Sequence, residues 1–115
     1  MGTQRICKTL QLAEDRRLIE EYESRHAPGA VWPEILDGIR SVGIRDMEIY
    51  RDGRTLFMIV EMDENADHDA AMARLATLPR QAEWEASMSR YQASDPASPA
   101  AEKWRPVKRI FSLSS

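Results

Sequence analysis

Apolar and polar positions change period several times along the chain, and each change marks an element. Ile6, Lys8, Leu10 and Leu12 alternate with Arg5, Cys7, Thr9 and Gln11, the period-two pattern of a strand. From residue 14 the spacing turns helical. Glu14 and Asp15 place negative charge at a helix N-terminus, and Leu18, Tyr22 and His26 fall on one line. Ala27-Pro28-Gly29 ends this helix near residue 25, because the residue before a proline is pushed out of the helical region. Pro33 suits the first position of a second helix, with Ile35, Leu36, Ile39 and Val42 at helical spacing and Gly43 as its stop. Residues 44–50 read as a strand, Arg51-Asp52-Gly53-Arg54 as a tight turn and residues 55–62 as the returning strand. Leu56, Met58, Val60 and Met62 share one face of that strand and Phe57, Ile59 and Glu61 the other, so it is expected to be central and covered on two sides.

Asn65 is placed to cap a helix over 66–76, and Thr77 with Pro79 to start another reaching Tyr91, in which Trp84, Ser87, Met88 and Tyr91 form one face. Residues 92–102 are rich in Ala, Ser and Pro and read as a loop. Val107, Arg109, Phe111 and Leu113 alternate with Lys108, Ile110 and Ser112, a closing strand. The order is strand, helices, hairpin, helices, strand. Two such halves give an α+β fold, a ferredoxin-like four-stranded antiparallel sheet with helices on one face. The other sheet face is left uncovered, so a second copy is expected to cover it and the protein to be a homodimer.

Composition narrows the picture. At 115 residues, 43% hydrophobic and 30% charged, the chain is one soluble globular domain over 1–115. A formal net charge of −3 gives no reason to expect nucleic acid or an anionic membrane as partner. The basic residues near the end (Lys103, Arg105, Lys108, Arg109) read as the solvated side of a strand. A single cysteine, Cys7, precludes an internal disulfide, fits a reducing compartment and is expected to be buried filler. No apolar run has the length of a signal peptide core or a membrane span, so the expected location is the cytoplasm.

Among side chains that carry chemistry, Tyr22 and His26 stand out. They are four residues apart at the end of a helix, hence on one face and able to enter one pocket. A helix C-terminus favours imidazolium and is expected to raise the His26 pKa. The plainer alternative is a histidine that caps carbonyls at a helix end. His68 lies in Asp63-Glu64-Asn65-Ala66-Asp67-His68-Asp69, which resembles the start of a calcium loop. However, His68 stands where glycine is required and Arg74 where the bidentate glutamate belongs, so no metal is expected. Trp32, Trp84 and Trp104 are many tryptophans for this length, and aromatic rings with a polar edge suit the C–H faces of sugars. Phosphate-binding glycine loops, nucleophile elbows and paired cysteines are absent, which disfavours NTPases, serine hydrolases and redox enzymes.

With Glu21-Tyr22, Arg25-His26, Pro28, Trp32-Pro33-Glu34 and Ile49-Tyr50 in view, the chain resembles the L-rhamnose mutarotase family, which includes relatives acting on L-fucose. Trp84…Met88 and Arg109-Ile110-Phe111-Ser112-Leu113 extend the resemblance over nearly the whole chain. It implies a dimeric α+β barrel that interconverts the α and β anomers of a 6-deoxy-L-sugar without a cofactor. By this resemblance His26 is the proton donor, while Tyr22 and Trp84 belong among the sugar contacts; Trp32, by its aromatic ring, is a further candidate contact. Met47 stands where the family has a strand tyrosine, and Glu85 where it has a second tryptophan. Gly29-Ala30-Val31 lengthens the loop after Pro28. The acid/base position is thus kept while two sugar-contacting positions differ. Glu34, Glu85 and Asp37 are candidate partners of His26. Since the fold alone does not choose a chemistry, a small monooxygenase or a non-catalytic sugar-binding module remains the alternative.

Overall fold

The computed structural model describes residues 2–93 and 103–114, so most of the loop expected over 92–102 lies outside the described residues. The elements are β1 (Thr3–Gln11), α1 (Arg16–Arg25), α2 (Pro33–Ser41), β2 (Ile44–Asp52), β3 (Thr55–Asp63), α3 (His68–Leu75), α4 (Gln81–Ser89) and β4 (Arg105–Val107). They form one four-stranded sheet in the order β2-β3-β1-β4, and every neighbouring pair runs antiparallel. This is the ferredoxin-like arrangement expected from the pattern.

Helix ends follow side chains that capture open backbone amides. Asp15 caps α1, accepting from the amides of Arg17 at 2.9 Å and Leu18 at 3.4 Å, so the helix begins after the acidic pair and not at it. Replacing Asp15 by alanine should cost about 1 kcal/mol, read as a lower urea midpoint with an unchanged m-value. Asp67, not Asn65, caps α3, through a bond from the Ala70 amide. The Asn65 amide itself donates to Asp63. α4 starts later than expected because the Thr77 hydroxyl donates back to the Arg74 carbonyl and Arg80 adopts a left-handed conformation (φ 65°) at the cap. The β2–β3 hairpin turns through Gly53 (φ 61°) and Arg54, with Asp52 opposite Thr55.

Leu10, Leu56, Val60 and Met62 fill the helix-covered side of the sheet and are at most 2% exposed. The core splits in two. Leu10, Leu12, Tyr22, Ile35, Leu56, Trp84, Met88 and Tyr91 make one cluster. Val42, Ile44, Val60, Met62, Ala71 and Leu75 make the other. A bulge at Ile44–Asp46 shifts the β2–β3 register, pairing Ile44 with Met62 and then Met47 with Val60. Both Ile44 and Met47 therefore face the helices, although they are an odd number of positions apart.

Three expectations are corrected on the opposite face and at the end of the chain. Cys7 is only half-buried, because it points to the side of the sheet that the helices leave uncovered. The closing strand pairs only over Arg105–Val107, and beyond it Ile110, Phe111 and Leu113 are 89%, 75% and 91% exposed. Among the described residues nothing covers their apolar side chains. Lys103, expected on a solvated strand face, is buried just before β4.

Candidate active site

α1 delivers Tyr22 and His26 side by side into one cavity of about 750 Å³, a volume ordinary for a small-molecule site. Their ring centroids are 4.4 Å apart with the planes tilted by 34°. His26 is the residue at which α1 ends, and its Nδ1 lies 2.9 Å from the Tyr22 carbonyl oxygen. That carbonyl is one of the helix's last open acceptors, so Nδ1–H donates to it. The capping histidine and the pocket histidine are thus one residue, and the cap fixes the tautomer. Nε2 is left with the lone pair and makes no hydrogen bond among the described residues.

Burial lowers the His26 pKa from its usual value, and the bond to the Tyr22 carbonyl opposes this only in part. The expectation that the helix terminus would raise it is therefore overturned, because loss of water around the imidazolium outweighs the favourable helix end. A neutral imidazole with an open Nε2 is a base at neutral pH. Tyr22 is 4% exposed, and burial pushes its hydroxyl pKa up, so the phenol stays a neutral hydrogen-bond donor.

Trp84 from α4 meets His26 edge-on at 5.6 Å, and behind it Trp32 packs edge-on at 5.1 Å. The Arg80 guanidinium lies 4.1 Å over the Trp32 ring and pairs with Glu83 at 2.9 Å and Glu34 at 3.4 Å. Trp84 therefore walls the cavity, while Trp32 stands one layer back as its support. Glu34 is engaged by Arg80, and neither it nor Asp37 lines the cavity. Glu85 does line it, next to Gln81, whose side-chain amide lies 3.4 Å away. Met47 also lines it, turned inward by the β2 bulge. Of the residues singled out from sequence, the fold thus brings Tyr22, His26, Met47, Trp84, Glu85 and Trp104 to one cavity.

Sequence reasoning missed Lys8, His68 and Gln92, which line the same cavity. Lys8 had a visible signal, since it occupies an inward position of β1 between Ile6 and Leu10. His68 was weighed only as part of an acidic run resembling a calcium loop, and once the metal was rejected nothing local gave it another role. Gln92 follows a helix and meets Leu12 through an isolated bridge, which no local pattern announces.

Comparison with known proteins agrees with this geometry. The family described as L-rhamnose mutarotase matches residues 5–113. An L-fucose mutarotase of Xanthomonas campestris pv. campestris is 44% identical over 99% of this chain and 91% of that protein. An L-rhamnose mutarotase of Burkholderia cenocepacia is 34% identical over 73% of this chain and 77% of its own. A crystal structure of an L-rhamnose mutarotase from Formosa agariphila superposes with a TM-score of 0.70 at 18% identity, covering 96% of this chain and 98% of that one, which shows a shared fold. The architecture is that of these α+β proteins, and the chain belongs to the L-rhamnose mutarotase family. Among the described residues no helix is long and apolar enough to cross a membrane.

Proposed function

We propose that the protein is an aldose mutarotase, an isomerase that interconverts the α and β anomers of a 6-deoxy-L-sugar, with L-fucose as the first candidate and L-rhamnose the second. The observation that carries this is the His26 imidazole, tautomer fixed by the Tyr22 carbonyl, with Nε2 open to the cavity. Nε2 accepts the proton of the anomeric hydroxyl as the bond between C1 and the ring oxygen breaks. The resulting imidazolium returns that proton to the ring oxygen, giving the open-chain aldehyde. Rotation about C1–C2 presents the other carbonyl face, and the reverse transfers close the ring to the other anomer. One proton moves between two oxygens of the same sugar, so a single positioned acid/base suffices.

Tyr22 supports this as a neutral donor to a sugar oxygen, and Trp84 offers an aromatic surface to the sugar's C–H groups. Glu85 and Met47 line the same cavity and are the candidates to meet other parts of the sugar. L-Fucose is put first because the relative named for it is matched over more of the chain, and at higher identity, than the relative named for L-rhamnose. The helix-free sheet face and the exposed Ile110, Phe111 and Leu113 support a homodimer, in which each copy covers the other's sheet. The cytoplasm is the compartment in which a half-buried Cys7 stays reduced.

Saturation-transfer NMR on L-fucose, L-rhamnose and a set of other aldoses tests the reading. Wild-type protein should accelerate anomer exchange of a 6-deoxy-L-sugar above the spontaneous rate. Binding without acceleration would make it a sugar-binding module instead.

A further inference from the structure

Lys8 is 6% exposed on a central strand, a burial that a lysine reaches only with a reason. Its cross-strand neighbours are Met58 on β3 and Pro106 on β4, and Met58 in turn faces Ile49 on β2. All four residues line the cavity, so this row is its floor. Along β1 the next inward residues on either side belong to different halves of the core: Leu10 to the first cluster, and Ile6 packed against the second. Lys8 thus stands where the core parts and the cavity opens. Among the described residues its ammonium makes no hydrogen bond or close ion pair, and burial, only partly offset by the charge of Asp69, lowers its pKa.

His68, at the start of α3, lines the same cavity. Its Nδ1 lies 3.1 Å from an Asp69 carboxylate oxygen, which accepts from Nδ1–H and leaves Nε2 as an acceptor. That Nε2 is buried and has no partner. An unpartnered donor and a buried, unpartnered acceptor therefore line one cavity, and the buried acceptor is costly to leave unsatisfied. A hydroxyl group donates and accepts at once and satisfies both.

We propose that Lys8 and His68 jointly bind a ring hydroxyl of the sugar, Lys8 donating and His68 Nε2 accepting, and that this pair sets the hydroxyl specificity of the site. The inference deepens the mutarotase reading and rests on it for the identity of the ligand. It fits a neutral sugar, since the charged side chains lining the cavity balance, Lys8, Arg40 and Arg45 against Asp46, Asp69 and Glu85. It also gives the site a second polar point besides His26, as fixing the orientation of a sugar requires.

The test compares wild type, Lys8→Met and His68→Phe on L-fucose and its monodeoxy analogues, or on the aldose exchanged fastest if that is another. Calorimetry gives Kd, and saturation-transfer NMR gives KM and kcat. Wild type should bind one monodeoxy analogue about tenfold more weakly than the parent sugar. Lys8→Met should bind the parent sugar about tenfold more weakly and show no further loss for that analogue, with KM changed more than kcat. His68→Phe should show the same insensitivity to the same hydroxyl. Lys8→Met removes an unpartnered ammonium from a largely buried side chain, so its melting temperature should be at or above wild type, which separates lost binding from lost folding. Should it fail to fold, Lys8→Gln, which keeps a donor, is read against the same analogues.

The proposal is overturned if Lys8→Met keeps the wild-type Kd, or if every analogue weakens equally in both proteins. Wild type that binds a sugar without exchanging its anomers would overturn the mutarotase reading alone, and the Kd series would still decide the role of Lys8. Wild type that binds none of the sugars overturns both.

Discussion

Replacing His26 by glutamine should slow enzyme-catalysed anomer exchange by ~10²–10⁴-fold, the usual worth of a positioned acid/base, while leaving the protein folded. Glutamine can still donate to the Tyr22 carbonyl and preserve the end of α1, so loss of rate would not reflect loss of the helix. What it lacks is a nitrogen lone pair able to take and return a proton. The pH profile should carry the same signature. Burial holds the His26 pKa below 6.5, so neutral imidazole persists through pH 7 and the rate should fall only in acid, below the usual histidine range. Stability follows the same group. Below 6.5 the unfolded chain's imidazole takes up a proton that the folded one refuses. The contribution of His26 is therefore complete above 6.5 and is lost as pH falls toward its folded pKa. An exchange rate for His26→Gln equal to wild type at pH 7 would falsify the assignment.

Trp84→Ala should be the most damaging single truncation for stability and activity together. The indole is 8% exposed and has His26 on one side and Trp32 on the other. Its removal should cost about 3–5 kcal/mol, because the void left behind joins a cavity already present and the flanking rings lose their contact. For a domain of this size that corresponds to a fall in melting temperature of more than ~10 °C. The remaining folded protein should exchange anomers slowly, since the imidazole loses the wall that sets its tilt. Trp84→Phe, which keeps an aromatic edge, should recover most of both. Scanning calorimetry and the exchange assay, run on the same samples, separate the two effects. A melting temperature within a degree or two of wild type would show that the Trp32–Trp84 stack contributes little.

Elements whose signals are local were legible in the sequence. The Asp52-Gly53 turn, the Pro33 start of α2 and the pairing of Tyr22 with His26 on one helical line each follow from a few adjacent residues. Helix starts were misplaced where two neighbouring side chains compete for the same amides, as Asn65 and Asp67 do before α3. The direction of the His26 pKa shift was not legible, because it depends on burial, and packing partners such as Trp84 are far from His26 in sequence. Met47 was identified as a site position only through family resemblance. Period-two reading from Ile44 would turn it away from the core, and the bulge that corrects this has no glycine to mark it. The closing strand was overread because an alternating apolar pattern reports a wish for burial, not the presence of a surface to supply it.

The β2 bulge also bears on how this strand can change length. Shortening β2 within 47–49 would turn residues such as Glu48 toward the apolar floor, because side-chain direction reverses with every residue removed. Loss of Arg45 alone would return the strand to plain alternation with Ile44 and Met47 both still inward, at the cost of its bonds to Thr3 and Asp63. The bulge at 45–46 is therefore the place in the front half of β2 where the gene can lose a codon without turning the strand inside out. Length variation in this strand should collect at that position and leave the cavity floor untouched.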